Sequence, residues 1–106
     1  MGNRVSISFI QGTDESVALF DHWGGMELVD TARQYIRELK AELDAKQTNI
    51  RQPLDRLEPS TVMVDFIRYL THDMKRVYSS LYLGRDQSDG DNSDNGHFKI
   101  SLDEEA

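Results

Sequence analysis

Asp21, His22, Trp23, Gly24 and Gly25 meet where an apolar run ends and a helical pattern begins. A carboxylate beside an imidazole is the raw material of a base and its orienting partner. Two glycines ahead of a helix leave backbone N–H groups open to an anion, because the first four N–H groups of a helix have no partner within it. Neither a GxGxxG pattern nor a phosphate-loop lysine accompanies them, and although serines are available, a Ser-His-Asp triad is a geometric arrangement with no local signature here. The competing reading of the same five residues is a tight corner, with Trp23 packed, its N–H satisfied, and the glycines turning the chain.

A second set of candidates lies near the C-terminus. Asp91-x-Ser93-x-Asn95-Gly96 follows the first half of an EF-hand loop, in which oxygens at alternate positions and a glycine at the sixth wrap a hard cation. The second half fails, since position twelve falls on Leu102 instead of a bidentate glutamate, and the flanks read as strands. Asp91 and Asp94 are therefore weak metal candidates, and the loop reads as solvated turn chemistry. His22, His72 and His97 sit at three separate element boundaries with no HExxH spacing, so the sequence defines no metal site. It points to no cofactor.

Composition narrows the classes. The chain has 106 residues and no cysteine, which fits one domain and excludes disulfides, thiolate metal sites and a cysteine nucleophile. No apolar run approaches the roughly 18–20 residues of a membrane span, and Met1-Gly2-Asn3-Arg4 leads into a strand pattern instead of a signal peptide. The expectation is a soluble, cytoplasmic protein that does not engage a membrane. Of the net charge of −7, residues 86–106 carry −6, from seven acids against one base. The body is almost neutral, and mixed charges surround Arg33, Arg37 and Lys40. Nucleic acid is a poor partner for such a surface, because binding it requires phosphate neutralisation.

The elements that must position these residues follow from periodicity. Val5, Ile7 and Phe9 alternate with Ser6 and Ser8 as in a strand with one face in the core, and Gln11-Gly12-Thr13-Asp14 turns it into a hairpin with Ser16–Phe20. Leu28, Val29, Ala32, Tyr35, Ile36, Leu39 and Leu43 recur at three and four, predicting a helix from Met26 to about Lys46 with a Glu42–Lys46 pair. Residues 47–57, with Pro53, read as a connection. Pro59 suits the first turn of a second helix that buries Val62, Met63, Phe66, Ile67 and Leu70 and ends near His72-Asp73. Val77–Leu83 and His97–Leu102 read as two strands, with residues 85–96 between them a long hairpin loop or a partly disordered one, and the strand order is not legible from the sequence. Tyr35, Tyr69, Tyr78 and Tyr82 fall on apolar stripes or strands, which suits packing better than base stacking.

The reading is a single α+β domain over 1–106, of order β-β-α-α-β-β, with a mainly antiparallel sheet of about four strands and two helices on one face. Residues 86–96 form an acidic flexible loop and 103–106 an acidic tail. The expected core is Val5, Ile7, Phe9, Leu19, Val29, Ile36, Leu39, Phe66, Ile67, Leu70, Phe98 and Ile100.

His22-Trp23-Gly24-Gly25 after a strand, followed by a helix and by an Asp/Gly/Asn-rich segment entering a last strand at Gly96-His97-Phe98-Lys99-Ile100, resembles a loose group of small uncharacterised prokaryotic and phage or provirus proteins carrying an HWGG-like motif. Asp21 departs from the small polar residue expected there. The resemblance implies a free-standing accessory domain and brings no catalytic residues with it. The leading expectation is a non-enzymatic module whose partner is another protein. The alternatives are a small enzyme or anion-binding domain using Asp21–Gly25, and an acidic mimic of nucleic acid.

Overall fold

The computed structural model describes residues 2–44, 58–72 and 80–102. The described elements are β1 (Val5–Gln11), β2 (Asp14–Glu15), β3 (Ala18–Asp21), α1 (Gly25–Asp44), α2 (Pro59–Thr71), β4 (Leu81–Gly84) and β5 (His97–Ser101). The connection expected at 47–57, the Glu42–Lys46 pair, Tyr78, the start of the strand expected at Val77 and the tail at 103–106 lie outside the described residues or side chains.

β1 is the centre of the sheet. On one edge it pairs antiparallel with β2, through Ile10↔Glu15 and Gln11↔Asp14, and with β3, from Val5↔Asp21 to Ile7↔Leu19. The returning arm of the expected hairpin is thus broken at Ser16–Val17. The Ser16 N–H still donates to the Phe9 carbonyl, and its hydroxyl accepts the Phe9 N–H. β4 pairs antiparallel with the far side of β3, and β5 pairs parallel with the opposite edge of β1, from Ser6↔His97 to Ile10↔Ser101. The architecture is α+β with a mainly antiparallel sheet, as the sequence pattern predicts.

A hairpin between the last two strands, one of the two readings of this segment, is absent. β4 and β5 occupy opposite edges, and residues 85–96 cross the sheet diagonally from the end of β4 to the beginning of β5. Twelve residues reach up to about 40 Å when extended, ample for three inter-strand steps of about 4.8 Å each. Alternation in β5 suits either topology, so it could not choose between them.

The alternation of β1 divides the sheet into two unlike faces. Val5, Ile7 and Phe9 point toward the helices and are fully buried with Leu19, Val29, Ile36, Leu39, Phe66 and Ile100. Ile67, Leu70 and Phe98, expected in the core, are partly buried and pack against it, while Leu28, Ala32, Tyr35, Val62, Met63 and Leu102 complete it. Phe9 meets Phe66 edge-on at 5.5 Å between centroids, and Tyr35 lies 5.2 Å from Phe66. The Tyr35 hydroxyl donates to Asp65 at 2.6 Å and that of Tyr69 to Glu38 at 3.0 Å, so each links the two helices through a polar tip on an apolar body.

The second face carries Ser6, Ser8, Phe20, Tyr82, His97 and Lys99 by register. Strand alternation predicts a solvated polar face here. Instead the acidic crossover covers its Ser6, Phe20 and His97 part, while Tyr82 and Lys99 stay exposed. Phe20 stacks on Tyr82 at 5.0 Å, and Gly90 lies so close that a Cβ there would come 2.7 Å from Tyr82 and 2.9 Å from Phe20. The Asp91 N–H donates to the Tyr82 hydroxyl at 2.9 Å.

Candidate functional site

The 21–25 corner is held by three backbone bonds to two separate parts of the chain. Asn3 N–H donates to the His22 carbonyl, Gly25 N–H to the Asn3 carbonyl, and His22 N–H to the Ser80 carbonyl, all at 2.9 Å. The buried Asp21 carboxylate accepts the Trp23 N–H at 3.0 Å. Both glycines are required by this geometry. A Cβ on Gly24 would collide with the Asp21 carboxylate, and Gly25 has φ +55° with the Asn3 side chain where a Cβ would project.

Asp21 therefore serves the turn and is engaged by Trp23, while the His22 ring meets Trp23 edge-on at 4.6 Å. Trp23 differs from the packed tryptophan considered above. It is 57% exposed, and Met26 in the first turn of α1 is 41% exposed. The corner is rigid underneath and apolar on top. An open groove on the described surface runs along α2, lined by Ser60, Thr61, Val64, Asp65 and Arg68, and takes no lining residue from the corner. Among the described residues Ser80 Oγ is buried without a partner, next to the carbonyl that anchors His22.

The crossover aspartates are exposed, yet each is engaged by a donor of its own chain. Arg4 Nε lies 3.1 Å from Asp91, and Arg4 Nη1 and its backbone N–H lie 3.3 and 2.9 Å from Asp94. Asp89 accepts the Arg85 N–H and lies 3.4 Å from its guanidinium; Asp86 accepts the Ser88 hydroxyl and N–H. These donors hold the Asp86, Asp89 and Asp91 carboxyls below their ordinary range, led by Ser88, Arg85 and Ser93 respectively. Among the described residues no group of three or more His, Asp or Glu side chains is arranged to hold a metal ion.

A second polar cluster escaped the sequence reading. Ser6 Oγ lies 2.7 Å from His97 Nδ1, and Ser8 Oγ lies 3.0 Å from His97 Nε2. Ser8 Oγ also donates to Glu15 at 2.6 Å, and Asn92 Nδ2 donates to Ser6 Oγ at 2.9 Å and to the Gln87 carbonyl at 3.1 Å. Both serines are fully buried and the His97 side chain is only 4% exposed. Burial pushes the His97 imidazole below its ordinary value against the pull of Glu15, and the Ser8 hydroxyl holds Glu15 low. Serine, histidine and glutamate in sequence resemble a hydrolytic relay, but a nucleophile must meet its substrate, and neither serine reaches the surface. The only hint in the sequence is register, since Ser6, Ser8 and His97 become neighbours only once the last strand is placed parallel to the first.

Comparisons with protein-family models, curated proteins and solved structures return no match for this chain. Among the described residues no helix is long and apolar enough to cross a membrane.

Proposed function

We propose that the chain is a non-enzymatic interaction module that binds another protein through Trp23. The observation that carries this reading is a tryptophan more than half exposed on a backbone corner that is fixed at Asn3, Asp21 and Ser80. Large aromatic side chains dominate binding hot spots, and a pre-organised backbone lowers the ordering entropy that association costs. Met26 extends the apolar surface along α1. The resemblance to small prokaryotic and phage proteins supports an accessory role in the cytoplasm of a prokaryotic host.

Two features weigh against the other readings. The buried Asp21 carboxylate is turned to the Trp23 N–H, and the His22 ring packs on Trp23. The crossover carboxylates, though exposed, are paired with Arg4, Arg85 and Ser88, whereas a mimic of nucleic acid needs a spaced array of uncompensated charge.

Affinity capture from the native host with wild type, Trp23→Ala, His22→Ala and Arg68→Ala tests the reading. A reproducible partner retained by Arg68→Ala and lost with Trp23→Ala is the expected result. Retention by Trp23→Ala at wild-type yield overturns it. Trp23→Ala should alter stability by no more than about 0.5 kcal/mol, as expected for an exposed side chain, and thermal melting checks that the loss is one of binding.

A further inference from the structure

We propose that His97 is an acid-responsive latch: neutral, it holds the 85–96 crossover against the sheet, and on taking a proton at Nδ1 it releases that segment. Hydrogen-bond polarity fixes the tautomer of the neutral ring. The Ser8 hydroxyl gives its only proton to the Glu15 carboxylate, so His97 Nε2 must be the donor in its contact with Ser8. In the neutral ring Nδ1 is then an acceptor and takes the Ser6 hydroxyl proton. Ser6 Oγ in turn accepts from Asn92, whose amide orientation is fixed because the same nitrogen also donates to the Gln87 carbonyl. The chain runs one way, from Asn92 through Ser6, His97 and Ser8 to Glu15.

A proton on Nδ1 reverses one link. Ser6 Oγ then faces two donors, Nδ1–H and Asn92 Nδ2–H, and its own proton must turn away inside a site with no solvent access. Asn92 belongs to the crossover and is the partner that can leave. With it go the covering of Phe20 by Gly90 and the Asp91 N–H bond to Tyr82. The helices lie on the other face of the sheet. The charged groups around the cluster are Glu15 of β2 at 3.6 Å from His97 Nε2, Lys99 of β5 at 3.7 Å from Glu15, and Arg4 ahead of β1 with Asp91 and Asp94 of the crossover. Glu15 favours the imidazolium; burial and Lys99 oppose it, with burial the largest influence.

A ring whose value is lowered in the closed state binds its proton better when released. Closure is therefore complete above the ordinary imidazole value of about 6.5 and weakens as pH falls below it. Glu15 and the crossover aspartates with lowered values remain ionised between pH 6.5 and 5, so these carboxylates do not contribute to a change in this window.

Amide hydrogen exchange, corrected for intrinsic rates, is read at pH 7.5 and 5.5 at Asp91, Asn95 and Gly96, whose N–H groups bond Tyr82, Arg4 and Asn92. The expected result is a several-fold loss of protection at pH 5.5, bounded at about tenfold one unit below the ordinary value, with core amides of β1 unchanged. In His97→Asn, which cannot titrate, the pH dependence should vanish. Imidazole ¹⁵N shifts of the wild type serve if that variant does not fold, and should show the neutral Nε2–H tautomer persisting below pH 6.5. Unchanged protection, the same pH dependence in His97→Asn, or an Nδ1–H tautomer overturns the proposal.

Discussion

The two faces of the sheet are closed by different physics. Toward the helices, Phe9, Phe66, Tyr35 and their neighbours exclude water through area and close packing, forces with little direction and no dependence on protonation. Under the crossover the same β1 presents Ser6 and Ser8, and closure relies on a directed chain through His97 to Glu15 with one aromatic pair beneath Gly90. A packed apolar face fails when volume is removed. A directed polar face fails when one partner or one proton is changed.

The largest effect should therefore come from the helix side. Phe66→Ala removes a fully buried ring that touches Phe9, Tyr35 and Tyr69, and should destabilise by about 3–5 kcal/mol, with the same loss at pH 7.5 and 5.5. Denaturant melts at the two pH values check it. A cost that changes strongly between them would break the contrast between the faces.

Ser8→Ala tests the other side with a far smaller loss of volume. It strips the Glu15 carboxylate of its hydroxyl donor and leaves the buried His97 Nε2–H without its acceptor, at a cost of about 1–3 kcal/mol. It also removes the largest influence holding the Glu15 carboxyl low. A carboxyl lowered in the folded state contributes stability above its unfolded value, lost as pH falls through its folded one. Ser8→Ala should thus flatten the stability curve below about pH 4.5, which acid titration followed by circular dichroism measures.

The contrast also explains what the sequence made legible. Periodicity identified α1, α2 and the alternation of β1, because area burial leaves apolar residues at regular spacing. Nine of the twelve expected core residues are buried, and the other three pack against that core. The polar face has no such signature. Ser6 and Ser8 look solvated in any strand, and an Asp/Asn/Gly segment looks like a loop wherever it runs. Only the parallel register of β5 with β1 joins them, and a pairing across some ninety positions leaves no local trace. At the corner, the glycine pair marked a tight turn correctly, while the exposure of Trp23 depended on how α1 leaves the sheet.

Calcium should produce the smallest effect. Asp91 and Asp94 already share Arg4, so a cation must displace a guanidinium before it gains either carboxylate, and Leu102 stands where an EF-hand loop places its bidentate glutamate. Such exposed ion pairs are individually weak, about 0–1 kcal/mol, so Arg4 alone is no strong barrier; the missing ligands are what limit affinity. Amide shifts at 86–97 should remain small and unsaturated at micromolar calcium, both in the wild type and in Arg4→Gln. Saturable shifts confined to 86–97 in Arg4→Gln alone would mean that Arg4 occupies a cation's place. Saturation in the wild type would mean that the crossover is a calcium loop after all, and that a metal as well as His97 governs closure of the polar face.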